Sequence, residues 1–265
     1  MLIIAAVVGA LVGSFLNVVI FRVPRKLSVI TPASACPNCN SPILGRDNIP
    51  VFSWLLLKGK CRACRREISI RYPLVEMATA TLFVLVLWRF PPTSLKETFD
   101  LISLLYLAAI SIALALIDWD THTLPNRIVL PSYVVGVVLM SASGILAGDL
   151  QPLARAVIGA AVMWSLYFLM ALTYNGAMGF GDVKTAGSLG LFLGYLGWKI
   201  LIVGAFSAFF LGGIFALGLL ISRKANSKSG IPFGPWMLVG AWVGIFLGGG
   251  IAHRYLLLFG IGQSY

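Results

Sequence analysis

Apolar residues fill most of this chain in blocks of about twenty, separated by short polar clusters. That block length matches the ~20 residues a helix needs to cross a ~30 Å hydrocarbon layer. The pattern predicts about eight transmembrane helices, at 2–21, 74–90, 101–117, 128–147, 153–174, 183–198, 200–221 and 236–259. Between Lys184 and Arg223 the only charge is Lys199, so 183–221 reads at first as one block. A single helix of that length would overrun the bilayer, and Gly194, Gly197 and Trp198 place a tight turn inside it. Glycines recur through the later blocks (Gly187, Gly190, Gly204, Gly240 and Gly244 among them), which suits close helix packing in lipid.

Residues 22–73 break the pattern. They are rich in Pro, Arg and Cys and hold no long apolar run. A segment of about fifty residues is too small to bury a dependable core, so a covalent or metal staple is expected. The organisation is then a first transmembrane helix (1–21), a loop domain (22–73) and a transmembrane helical bundle (74–265). No internal repeat or low-complexity tract is visible.

Composition excludes an ordinary soluble domain: 59% of residues are hydrophobic and 11% charged, with a mean hydropathy of +0.93. The expected fold class is an all-α polytopic membrane protein. Ten of the twenty Lys and Arg lie in 22–73, and Arg127, Lys184, Arg223, Lys224 and Lys228 raise the count on that side to fifteen. The positive-inside rule puts this side in the cytoplasm and both termini outside. The first span has no basic residue before it and a basic cluster after it, the pattern of a retained anchor rather than a cleaved signal peptide. The net charge of +11 is accounted for by topology and by contact with anionic lipid head groups, not by nucleic acid.

All four cysteines fall in the loop, as Cys36-Pro-Asn-Cys39 and Cys61-Arg-Ala-Cys64. Two residues between cysteines let one tight turn present both sulfurs to one metal, and two such turns complete a tetrahedron. Nearby Arg and Lys favour the thiolates that zinc needs. Thiol redox chemistry is the competing reading, because Cys-Pro-x-Cys also occurs in disulfide oxidoreductases. Four unbonded cysteines are the plainest one. A reducing cytoplasmic side argues against structural disulfides.

The chain holds nine acids, and four of them, Glu76, Asp118, Asp120 and Asp182, fall at membrane boundaries. Asp118 and Asp182 both lie at the cytoplasmic ends of predicted spans, where they could meet. Two carboxylates sharing a site cannot both ionise cheaply, so one keeps a proton while the other acts as base toward water. That is the requirement for hydrolysing a peptide without a metal or a nucleophile. Plainer readings stay open: Asp182 as N-cap of a helix beginning at Val183, and Asp118 and Asp120 as a polar stop. Gly179 and Gly181 would let backbone approach a bound extended peptide.

These segments together resemble one family. GSFLNVVIFRVPR (13–25), the paired Cys motifs, ISIRYPLVE (68–76), LIDWDTHTLPNRIVLP (116–131) and GFGDVK (179–184) are similar, in order, to motifs of the bacterial type IV prepilin peptidases. These are intramembrane aspartyl proteases carrying a G-x-G-D motif. The resemblance implies catalytic roles for Asp118 and Asp182, with Asp120, Gly179, Gly181 and Lys184 as accessory members of the motifs. Asn126 stands where many members have Asp. The resemblance also implies a structural zinc ion on Cys36, Cys39, Cys61 and Cys64.

The full cysteine set suggests the bifunctional form, which methylates the new N-terminus with S-adenosylmethionine. No glycine-rich Rossmann fingerprint for that donor is present. The resemblance assigns methyl transfer to the N-terminal part, where Arg22, Arg71, Tyr72 and Glu76 are the polar groups near the membrane surface. Interfacial snorkelling and helix starts would equally explain them. The expected substrates are prepilins or pseudopilins of type IV pilus or type II secretion systems, cleaved at the cytoplasmic face of the bacterial inner membrane. The expected partners are those substrates and the lipid bilayer, and the oligomeric state is left open. A membrane thiol–disulfide oxidoreductase and a proton- or cation-coupled transporter using the membrane acids are the alternatives.

Overall fold

A computed structural model describes residues 1–36, 38–173, 178–222 and 231–259. Among them the chain forms helices α1 (Leu2–Arg22), α2 (Phe52–Leu56), α3 (Arg71–Arg89), α4 (Leu95–Thr121), α5 (Asn126–Ala147), α6 (Gln151–Thr173), α7 (Phe180–Leu196), α8 (Trp198–Ile221) and α9 (Gly234–Leu258), with a 3-10 turn at Gly45–Asp47. Each of the eight expected spans is a helix. Seven helices among the described residues are long and apolar enough to cross a membrane. The other expected span is α7, of 17 residues, or about 25 Å at 1.5 Å per residue. The charged link at 223–230, with Arg223, Lys224 and Lys228, lies outside the described residues.

Helix ends move from their sequence-predicted places for local reasons. α3 starts at Arg71 rather than 74, and α4 runs 95–121 rather than 101–117. At the start of α4 the Ser94 hydroxyl accepts the Glu97 N–H, and the Glu97 carboxylate accepts the N–H and hydroxyl of Thr93. Such reciprocal capping lets a helix begin in a polar stretch that hydropathy alone assigns to a link. At the other end His122 takes a φ of 51° and returns its N–H to Asp118 O at 2.8 Å. That left-handed residue closes the helix one turn beyond Asp118. Between α7 and α8 the expected turn is present at Gly197, whose φ of 140° suits glycine.

The chain divides into two compact units, Met1–Ile117 and Asp118–Tyr265. In the first, α1 and α3 pack closely through Gly9 and Gly13. A Cβ on Gly13 would stand 2.7 Å from the Cα of Glu76. Asn17 Nδ2 donates to Tyr72 O at 3.1 Å and ties the same two helices together.

In the second unit α7 packs against α5, α6, α8 and α9 and is buried from Thr185 through Tyr195. Protein rather than lipid surrounds it, so its length is not bound to the hydrocarbon thickness. Small residues allow this: Gly159 on α6 and Gly190 on α7 meet so closely that a Cβ on either would run into the other's carbonyl oxygen. Side-chain hydrogen bonds join α5 to α7 along their length. Asn126 accepts from Lys184, Tyr133 donates to Lys184 O at 2.6 Å, Ser132 pairs with Ser188 at 2.6 Å, and Tyr195 donates to Ser143 at 2.9 Å. In an apolar environment such bonds hold helices in register.

Candidate active site

Asp118 lies in the last turn of α4 and is 4% exposed; Asp182 lies in the first turn of α7 and is half-buried. Both belong to the second unit. Each accepts one backbone N–H from a glycine. Gly179 N donates to Asp182 Oδ2 at 3.1 Å, while Asp182 N donates to Gly179 O at 3.0 Å. The helix thus starts at Phe180, and Asp182 is its third residue rather than the N-cap of a helix beginning at Val183. Gly179 is the N-cap, and its closeness to the carboxylate leaves a would-be Cβ 3.4 Å from Oδ2.

Asp118 receives the N–H of Gly234, the first residue of α9, at 3.0 Å. A Cβ at Gly234 would lie 2.7 Å from Asp118 Oδ2. This third segment, Pro232-Phe233-Gly234-Pro235, touches Asp118 and is not among the residues the sequence singled out. Two prolines flanking a glycine at the opening of the last span were the available signal, since they fix a stiff turn whose amide can be aimed.

Leu124 joins all three segments. Its side chain would meet a Cβ on Gly181 at 3.1 Å and one on Gly234 at 3.2 Å. The Leu-Pro-Asn sequence after Asp118 therefore packs against both glycine-bearing strands of chain. Lys184 Nζ donates to Asn126 Oδ1 at 3.0 Å and lies 4.8 Å from the Phe180 ring centre. Asn126 supplies the acceptor an aspartate would supply. Asp120 is exposed.

The loop of the first unit brings the four cysteines together. Each pair forms the same knuckle: Asn40 N returns to Cys36 O at 2.9 Å and Arg65 N to Cys61 O at 3.0 Å, with Asn40 and Arg65 at φ 55° and 61°. All four sulfurs lie within 4.8 Å of one another, with Cys36–Cys64 at 3.9 Å and Cys39–Cys61 at 4.0 Å. Tetrahedral bonds of ~2.3 Å put sulfurs about 3.8 Å apart, whereas a disulfide needs about 2 Å. The Ser41 hydroxyl, and then its N–H, hold the Cys39 thiol down at about 6. The backbone N–H groups of Cys64 and Ala63 lower that of Cys61. The four cysteines form a group able to hold a metal ion. Beside them Arg62 clamps Asp47 at 2.6 to 3.0 Å and keeps its carboxyl below the usual range.

A cleft of about 1270 Å³ opens between α1, the loop and α3. Arg22, Tyr72 and Glu76 line it; Arg71 is not among its lining residues. The Arg22 guanidinium donates to Ser28 O at 3.0 Å and Pro32 O at 2.8 Å, so it braces the loop. Glu76 is 8% exposed and accepts the Val51 N–H at 2.6 Å.

Fold and site together define a polytopic helical membrane protein with two glycine-held aspartates in one unit and a four-cysteine loop in the other. Comparison with known proteins carries this further. Residues 7–90 match the bacterial peptidase A24 N-terminal domain, and residues 105–217 match the type IV leader peptidase family. The prepilin leader peptidase/N-methyltransferase of Aeromonas salmonicida is 36% identical over 93% of this chain and 90% of its own length. Its namesakes in Pseudomonas aeruginosa and Neisseria gonorrhoeae are each 35% identical, over 94% and 91% of this chain and 91% and 88% of their own. The chain belongs to the type IV leader peptidase family. No solved structure matches it significantly.

Proposed function

We propose that the protein is an enzyme of two activities: an aspartyl endopeptidase that removes the leader peptide of type IV prepilins or pseudopilins, and a methyltransferase acting on the new N-terminal residue. The observation that carries the peptidase reading is that Asp118 and Asp182 lie in one unit, each held by a glycine N–H, with Leu124 packed against both glycine-bearing segments. Full-length similarity to prepilin leader peptidase/N-methyltransferases supports both halves. The oxidoreductase and transporter alternatives find no support among these relatives.

One carboxylate keeps a proton and polarises the scissile carbonyl, and the other, ionised, takes a proton from water. The water oxygen bonds to the carbonyl carbon, the C–N bond breaks, and the amine leaves with the proton. Asp120, Gly179, Gly181 and Lys184 act as accessories. The glycines keep the approach clear, and Lys184 with Asn126 joins the two aspartate segments. The site works at the cytoplasmic face of the inner membrane, with the cysteine loop on the same side and both termini outside. The substrate's apolar helix lies in the bilayer, so lipid and helix contacts, rather than the basic loop, bind a basic leader.

Zinc bound by Cys36, Cys39, Cys61 and Cys64 would staple the loop, which lacks a large core. S-adenosylmethionine would supply the methyl group. The cleft at Arg22, Tyr72 and Glu76, at about 1270 Å³, has more than enough room for such a donor. Glu76 offers a carboxylate to a cationic ligand, and Tyr72 an aromatic face. Arg22 holds the loop over the cleft, and Arg71 opens α3 beside it. The test is cleavage of a prepilin in detergent by wild type, Asp118→Asn and Asp182→Asn. Both variants are expected to be inactive while retaining methyl transfer to a pre-cleaved pilin; full cleavage by either would overturn the mechanism.

A further inference from the structure

Three acids line the cleft of the first unit among the described residues: Asp47, Glu67 and Glu76. Arg62 clamps Asp47, and Glu67 is exposed. Glu76 differs from both, being 8% exposed and forming no ion pair among the described residues. Its hydrogen-bond partners are neutral: the Val51 N–H donates to Oε2 at 2.6 Å, and the Ser14 hydroxyl bonds to the same carboxylate. Two donors fill about half of a carboxylate's acceptor sites and cancel none of its charge. A glutamine would accept both bonds without the cost of burying an acid. The charge calls for a cation that the chain itself does not supply.

The backbone is bent to meet this carboxylate. Val51 takes φ 61° and ψ −49°, and the Phe52 N–H returns to Pro50 O at 2.6 Å. This is the γ-turn of positive φ, a rare and strained form, here at a β-branched residue. The Ser53 hydroxyl braces it, accepting the Ile49 N–H and donating to Arg46 O, both at 3.1 Å. Strain of this kind gathers where a group must be held for function.

Two cations meet in N-methylation, a sulfonium and the α-ammonium of the new N-terminus. A sulfonium has no N–H to offer a carboxylate, and suits an aromatic face such as Tyr72, one turn before Glu76 and also lining the cleft. The ammonium has N–H donors and must lose a proton before its lone pair can attack. The adjoining wall suits the chain that follows such an N-terminus. Leu11, Phe15 and Val18 line the cleft from one stripe of α1, at the spacing that packs against an apolar helix.

We propose that Glu76 is a catalytic residue of methyl transfer, which binds the α-ammonium of the cleaved pilin and takes its proton. One N–H bond breaks as Glu76 accepts the proton, and the freed lone pair attacks the methyl carbon of the sulfonium donor. The C–S bond breaks with its electron pair left on sulfur, giving a secondary methylammonium and a neutral thioether. Glu76 then returns its proton to water. The proposal rests on the methyltransferase reading.

The experiment uses full chains in detergent at about pH 7, where an α-amine of pKa about 7.7–8.0 is still mainly protonated. Binding of pre-cleaved pilin, with a free or an acetylated N-terminus, is measured for wild type and Glu76→Gln with no methyl donor added. Methyl transfer, S-adenosylmethionine binding, metal content and melting temperature are read on the same preparations. Wild type should bind the free amine about tenfold more tightly than the acetylated form, and Glu76→Gln should erase the difference. Its kcat for methyl transfer should fall about 100-fold or more, with S-adenosylmethionine affinity within about twofold. Metal content and melting temperature should match wild type. Equal binding of the two pilins by wild type overturns the proposal whatever the variant does. So does wild-type kcat in Glu76→Gln, a loss confined to S-adenosylmethionine binding, or a loss accompanied by lost metal or a lowered melting temperature. A wild-type protein that methylates no pre-cleaved pilin overturns the methyltransferase reading itself.

Discussion

The backbone N–H of Gly234 donates to Oδ2 of Asp118 at 3.0 Å, joining the start of the last helix to the end of the fourth across 116 residues of chain. The amide fixes one oxygen of the buried carboxylate. A side chain at Gly234 would press on that same oxygen, at 2.7 Å. Gly234→Ala should therefore displace the carboxylate while favouring the helix itself. We expect kcat for cleavage to fall about 100-fold, the scale of a 1 Å misplacement, with thermal unfolding close to wild type. Steady-state kinetics and a melting curve on the same preparation check it.

The Lys184–Asn126 hydrogen bond is exposed, so it adds little to global stability. Its effect is on registration of the two aspartate segments. Asn126→Asp keeps the acceptor and should cleave at close to the wild-type rate. Asn126→Ala removes it and should lower kcat, by about three- to tenfold, without changing the melting temperature by more than about 2 °C.

Metal removal should separate the two activities. The cysteine loop and the cleft beside it belong to the first unit, and the aspartate pair to the second. Cys36→Ser, or a strong chelator, should release bound zinc, loosen the loop and abolish methyl transfer. Cleavage by the same sample should fall less than about twofold. Metal content by atomic absorption, followed by both assays, tests this.

The Asp47–Arg62 pair gives the loop a defined acid limit. Arg62 holds the folded carboxyl below its unfolded value, so the pair's contribution is complete above the ordinary carboxylate range, about pH 4. It is lost as pH falls through the lower folded value. The destabilisation caused by Asp47→Asn should be the same at about pH 7 and pH 5 and smaller at about pH 3.5. Thermal unfolding of the two proteins at the three pH values reads it directly.

The eight spans were legible because each depends on a run of consecutive apolar residues, and a bilayer reads run length. The cysteine knuckles were legible because two residues between ligands already dictate a tight turn. Helix ends were less so: Ser94 and Glu97 extend α4 into a stretch that hydropathy assigns to a link, and Asp182 caps through Gly179 rather than as an N-cap. The function of Arg22 was also hidden, since its bonds to Ser28 O and Pro32 O depend on how the loop folds back.

By itself the sequence determined the class of the protein, its helices, its four-thiolate loop and the two aspartates, because each is written in residues near one another in the chain. The tertiary structure alone decided what surrounds those aspartates. Gly234 reaches Asp118 with a backbone amide, which every residue but proline possesses and no pattern marks. Tyr167 is one aromatic among many in an apolar span. Only packing shows that it is fully buried against Phe209 and Phe233, with no hydrogen-bond partner for its hydroxyl among the described residues.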